Sequence, residues 1–165
     1  MTTTTTSERI ATVRTYDALG GMLSSRDPGG TITYSLRADG QPSAIEAPGG
    51  IRTTFAYDSF GRQIGMVDPS AGTIAYGYDN AGNINRQVDA EGRITTMVYD
   101  KFGRIISKAT PEVSTSYGYS SDDLIKEVTC SNGTSTSYSY DSFNRVKTVK
   151  ETGADGMWLQ KEYNR

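Results

Sequence analysis

One seven-residue word recurs through this chain. Tyr99-Asp100-Lys101-Phe102-Gly103-Arg104-Ile105 has a near copy in Tyr57-Asp58-Ser59-Phe60-Gly61-Arg62. Another copy, Tyr140-Asp141-Ser142-Phe143-Asn144-Arg145-Val146, carries Asn in the glycine slot. Tyr78-Asp79-Asn80-Ala81-Gly82-Asn83-Ile84 and Tyr16-Asp17-Ala18-Leu19-Gly20 are looser versions. The tyrosine slot runs through Tyr16, Leu36, Tyr57, Tyr78, Tyr99, Tyr119, Tyr140 and Tyr163, at spacings of 20, 21, 21, 21, 20, 21 and 23 residues. A period of this length means one supersecondary unit stacked on itself, with each unit contacting mainly its neighbours.

The word describes a turn. Asp followed by two variable residues and Gly reads as a type I turn that ends in a left-handed residue, the connection that closes a β-hairpin with a bulge. The Asp carboxylate accepts from a backbone N–H two residues on. The fourth slot holds Gly20, Gly40, Gly61, Gly82 and Gly103, then Asp123 and Asn144. Asp and Asn are among the side chains that tolerate the left-handed region best.

The flanks read as strands. Two residues before the tyrosine slot stand Tyr34, Phe55, Tyr76, Met97, Tyr117 and Tyr138, and a spacing of two places both residues on one face of a strand. An apolar residue returns after the turn as Leu23, Ile64, Ile84, Ile105, Ile125 or Val146. Second, Gly-rich links follow, among them Asp27-Pro28-Gly29-Gly30, Pro48-Gly49-Gly50 and Ser131-Asn132-Gly133. Thr, Tyr, Ile and Val dominate between turns, which is strand composition, and no stretch argues for a helix. The expected fold is all-β: an array of antiparallel hairpins, about 21 residues each, in a curved, spiralling sheet.

Along the chain, residues 1–9 are expected to be a disordered or appended N-terminus, because Met1 to Glu8 is a threonine run. Residues 10–165 form the repeat array. Its second unit keeps the turn as Leu36-Arg37-Ala38-Asp39-Gly40 without the Tyr-Asp pair, and its sixth replaces the turn with Ser120-Ser121-Asp122-Asp123. An eighth unit starts at Met157 and stops before its glycine, so the array reads as truncated at its C-terminal end. Such a piece of sheet has two raw edges, and edge strands template pairing with other chains.

Composition narrows the function. The chain has no His, the commonest general base and metal ligand. Cys130 stands alone, without the partner a reactive thiol needs. A net charge of −2 gives no case for nucleic acid or anionic membranes. There is no apolar run near the ~20 residues of a membrane helix, and no signal peptide is visible.

The candidate residues divide in two. Asp17, Asp58, Asp79, Asp100 and Asp141, with Gly20, Gly40, Gly61, Gly82, Gly103 and Asn144, recur once per repeat and belong to turn architecture. Catalysis by carboxylates wants a pair in differing environments instead. Tyr76, Tyr78, Arg62, Arg104 and Arg145 are the candidate ligand face, for sugar rings or anions; the bland alternative is cross-strand packing and ion pairs with a neighbouring repeat's Asp. The Asp-rich turns lack the spaced ligands of a strong calcium site. No catalytic residue, metal or cofactor is expected.

These words resemble the Tyr-Asp (YD) repeat of the rearrangement-hotspot (RHS) family, roughly Gly, several residues, Tyr-x-Tyr-Asp-x-x-Gly-Arg-Leu. Gly72 to Ile84 follows it, and so does Gly92 to Ile105 with Met97 for the first Tyr. The resemblance covers about residues 10–165. The family includes bacterial polymorphic toxins, encapsulating subunits of insecticidal toxin complexes, wall-associated proteins and teneurin ectodomains. It implies a non-catalytic β-repeat segment of a shell that encloses or presents a toxin or C-terminal segment of a larger secreted or cell-surface protein. The family's self-cleaving core is missing, and Asp27-Pro28-Gly29-Gly30, which echoes its Asp-Pro-x-Gly signature, reads as an ordinary inter-hairpin turn. The alternative function is a surface module that binds carbohydrate or protein through the Tyr/Arg face. Expected partners are neighbouring repeats of the parent, other copies through sheet edges, and a cargo toxin segment or a glycan.

Overall fold

The structure is a computed structural model that describes the backbone of residues 2–7 and 10–163, with side chains described at residue 2 and residues 11–163. The chain divides into two compact units, Met1–Tyr76 and Gly77–Arg165. The first holds β1 (Thr2–Ser7), β2 (Ile10–Tyr16), β3 (Met22–Asp27), β4 (Gly30–Leu36), β5 (Pro42–Ala47), β6 (Ile51–Tyr57), β7 (Gln63–Asp68) and most of β8 (Gly72–Tyr78). The second holds β9 (Ile84–Val88), β10 (Ile94–Tyr99), β11 (Ile105–Ala109), β12 (Ser114–Tyr119), β13 (Ile125–Cys130), β14 (Ser135–Tyr140), β15 (Val146–Thr152) and β16 (Trp158–Glu162). Within each unit every strand pairs antiparallel with the next in sequence. No described residue is helical. The all-β hairpin array expected from the sequence is the fold.

The threonine run departs from expectation. Residues 2–7 are strand β1, in register with β2 from Thr2↔Thr15 to Ser7↔Ile10. Threonine is β-branched and stiff in a way that suits extended backbone; a run of it beside an alternating strand pairs rather than staying loose. Residues 1, 8 and 9 lie outside the described residues.

Each Asp turn is built alike. Asp100 N–H donates to Arg104 C=O at 2.9 Å and Gly103 N–H to Asp100 C=O at 3.0 Å. The strand register shifts between Val98 and Tyr99, the bulge that a type I turn ending in a left-handed residue produces. The same pair of bonds closes the turns at Asp58, Asp79 and Asp141, and also those at Arg37 and Ser120, where the Asp is gone. In the glycine slot φ is +78° at Gly103, and the slot's two other residue types, Asp123 and Asn144, sit at +62° and +60°. Those are the described non-glycine residues with positive φ. Asp27-Pro28-Gly29-Gly30 joins β3 to β4 as a tight hairpin, with Asp27 paired to Gly30.

Side chains sort onto two faces. On one, Tyr34 stands opposite Ile45, Phe55 opposite Met66, Tyr117 opposite Val128 and Tyr138 opposite Val149. On the other, Ser35 opposes Ala44, Ala56 opposes Gly65, and Ser139 opposes Thr148. Among the described residues only Ala44 is buried, at 5% exposure. A domain ordinarily buries its apolar face between two layers. Here lateral neighbours in one layer do the covering, and large side chains reach only half burial.

Among the described residues, β1 pairs only with β2 and β16 only with β15. A strand with one neighbour presents a row of open N–H and C=O groups. The chain is therefore expected to self-associate through these strands as its concentration rises. Sedimentation equilibrium checks this, and a strictly monomeric mass at high concentration goes against it.

Candidate functional site

The geometry repeated in each unit starts from the Asp carboxylate. Asp100 Oδ1 accepts from the N–H of Phe102 at 2.9 Å and of Arg104 at 3.0 Å, while Oδ2 accepts from Arg104 Nε at 2.7 Å. Asp58 does the same with Phe60 and Arg62, and Asp141 with Phe143 and Arg145. At Asp79 the Asn83 side-chain amide replaces the guanidinium, at 3.0 Å. Asp17 caps Leu19 and Gly21 N–H groups without an arginine. Every one of these carboxylates is committed to its own turn.

The candidate cations Arg62, Arg104 and Arg145 each pair with the carboxylate of their own turn. The bulge folds residue five of the turn beside residue one, which brings that carboxylate within reach of the guanidinium. Arg104 also reaches the next repeat, bonding Asp123 and lying over the Tyr119 ring at 4.5 Å. In the degenerate second unit Arg37 lies over Tyr57 at 4.6 Å. The three arginines also stack on their own turn's phenylalanine, at 5.2 Å on Phe60, 5.2 Å on Phe102 and 5.1 Å on Phe143. Those rings stand at the turn tips, 83%, 69% and 76% exposed, held by the cation beside them. Tyr76 and Tyr78 are half-buried on β8.

A second contact went unread in the sequence. The tyrosine slot's hydroxyl donates to a carbonyl of the preceding repeat: Tyr57 to Pro42, Tyr99 to Ile84, Tyr119 to Ile105 and Tyr140 to Ile125, at 2.7–2.8 Å. A signal for it exists. The slot two residues earlier accepts Phe55 and Met97, so it needs only apolar bulk, whereas the slot itself changes from Tyr only at Leu36.

Asp58, Asp79, Asp89, Asp100 and Asp141 are held below the ordinary carboxylate value. At Asp141 the Arg145 N–H is the main cause; at Asp79 it is the Asn83 side-chain amide, and at Asp89 the Arg93 guanidinium. At Asp100 and Asp58 partial desolvation is the largest single influence and opposes ionisation, but the Arg104 and Arg62 bonds together outweigh it. A folded pKa below the unfolded one adds stability above the unfolded value, about 3.9 for Asp, and loses it as pH falls through the folded values. Thermal melts are therefore expected to be flat between neutrality and about pH 5 and to drop steeply below about pH 4. A melting temperature unchanged at pH 3 contradicts the capping role.

No three His, Cys, Asp or Glu side chains among the described residues come together as a metal site. Cys130 is half-buried, its Sγ 3.7 Å from Thr115 Oγ1. A shallow cleft in the first unit runs between the tips at Leu19 and Ala38, and its acids are spent on turn N–H groups and on Arg37. The arrangement fastens repeat to repeat.

Comparison with known proteins agrees. The Teneurin YD-shell family model matches residues 66–159, and the RHS Repeat model residues 38–73. Among solved structures, the chain is similar to part of the TcdB2-TccC3-Cdc42 complex, with 17% identity and a TM-score of 0.74 over 94% of this chain and 10% of that one. A TcdB2-TccC3 structure gives 13% identity and a TM-score of 0.76 over 93% of this chain and 10% of that one. At such identities the likeness is one of fold, and the chain spans about a tenth of the length of either neighbour. No curated protein matches in sequence.

Proposed function

Because the chain belongs to the Teneurin YD-shell family, we propose that it is a non-catalytic structural segment of a YD-repeat shell. In this reading its sheet, as part of a larger secreted or cell-surface protein, encloses or presents another segment of that protein, a toxin or C-terminal cargo. The observation that carries it is the tyrosine hydroxyl bonded to the preceding repeat at Tyr57, Tyr99, Tyr119 and Tyr140. Polar side chains that an active or binding site would turn outward are spent on joining repeats. A wall needs that continuity; it needs no cofactor and no general base.

The same observation weighs against a glycan- or protein-binding Tyr/Arg face. Arg62, Arg104 and Arg145 are each committed to a carboxylate and an aromatic ring. The test is limited proteolysis of the full-length polypeptide that carries this chain. Deleting one whole repeat, residues 78–98, should expose a segment that the intact protein shields. Identical cleavage patterns with and without the repeat, or saturable glycan binding by this chain that Arg104→Ala abolishes, would overturn the shell reading.

A further inference from the structure

We propose that Asn132 is an acceptor for N-linked glycosylation. Asn132-Gly133-Thr134 is the acceptor tripeptide Asn-x-Thr, with a middle residue that is not Pro, and the sequence holds no other Asn-x-Ser/Thr. The tripeptide sits at the tip of the β13–β14 hairpin. Cys130 N–H donates to Thr134 C=O at 2.8 Å and Gly133 N–H to Cys130 C=O at 3.0 Å, so the turn is closed and Asn132 stands exposed on it.

The side chain is already arranged. Asn132 Oδ1 accepts from the Thr134 N–H at 3.1 Å and from Thr134 Oγ1 at 2.8 Å. Two donors on one atom identify that atom as the oxygen, which leaves the amide nitrogen on the solvent side. Among the described residues Asn132 Nδ2 has no hydrogen-bond partner. Asn83 shows the opposite case: its Nδ2 is tied to Asp79 Oδ2. The Thr134 hydroxyl draws electron density from the Asn132 amide at the position where the tripeptide demands a hydroxyl.

The co-substrate is a polyprenyl-diphosphate-linked oligosaccharide, delivered by an oligosaccharyltransferase. Nδ2 attacks C1 of the reducing-end sugar, and the new N–C1 bond replaces the C1–O bond. Polyprenyl diphosphate leaves with that electron pair, and one Nδ2 proton passes to a base of the transferase. Nothing is oxidised or reduced. The glycan lands on the link end of the hairpin, away from the Arg-capped Phe tips.

The folded chain is incubated with a purified oligosaccharyltransferase and its lipid-linked oligosaccharide, and read by intact mass and peptide mapping. One glycan on Asn132 is expected, retained in Thr134→Ser and lost in Thr134→Ala and Asn132→Gln. Mapping on the unsubstituted chain keeps the result independent of how the variants fold. No mass gain while a free Ser131–Ser135 peptide is modified in the same mixture overturns the proposal. So does a gain that appears only after the chain is unfolded in denaturant.

Discussion

Tyr99→Ala is expected to destabilise the chain by about 2–4 kcal/mol, and Tyr99→Phe by about 0.5–1.5 kcal/mol. The larger figure sits at the low side of a core aromatic truncation because Tyr99 is only half-buried. The smaller one isolates the hydroxyl, whose bond to the Ile84 carbonyl spans 15 residues at 2.8 Å. Both substitutions also remove the hydroxyl's contact with the Met97 sulfur, at 3.8 Å. Denaturant unfolding separates the two effects. A Phe variant as damaged as the Ala variant means the hydroxyl carries the whole contact; a harmless Ala variant means the repeats are not fastened at this slot.

Gly103→Val is expected to cost about 1–3 kcal/mol, and Gly103→Asn only a few tenths. The cause is backbone strain and not crowding. Gly103 has φ +78°, and a Cβ there would meet only Asn83 Oδ1, at 4.0 Å. A β-branched residue fits the left-handed region worst. Asn144 already occupies the equivalent slot at +60°, so the chain itself supplies the control. Equal costs for Val and Asn would mean that this turn does not depend on left-handed geometry.

What the sequence made legible is what is local. The strand alternation and the Asp-x-x-Gly turn involve residues within five positions of one another, and their chemistry can be read without a partner strand. The carbonyl that accepts from Tyr99 lies 15 residues upstream, beyond the reach of a turn rule, so the bond stayed hidden even though the slot's refusal of Phe hinted at it. The same-turn arginine pairs were hidden because the bulge, which returns Arg62 to Asp58 at 2.7 Å, is a three-dimensional consequence of the turn, whereas the neighbouring-repeat pairing expected of these arginines holds at Arg104 with Asp123 and Tyr119. In the threonine run low complexity and strand propensity give opposite readings, and it is pairing with a neighbouring strand, here β2, that decides between them for residues 2–7.

The central claim is that, within each unit, each repeat leans on its neighbours, and that among the described residues no common core forms. Removing β15 and β16 by ending the chain at Asn144 tests it most directly, with amide hydrogen exchange followed strand by strand. The account predicts that β10 to β13 keep their protection while β14, now an edge, loses part of its own. Collapse of protection throughout the second unit would contradict it, because only a shared core would make β10 depend on β16.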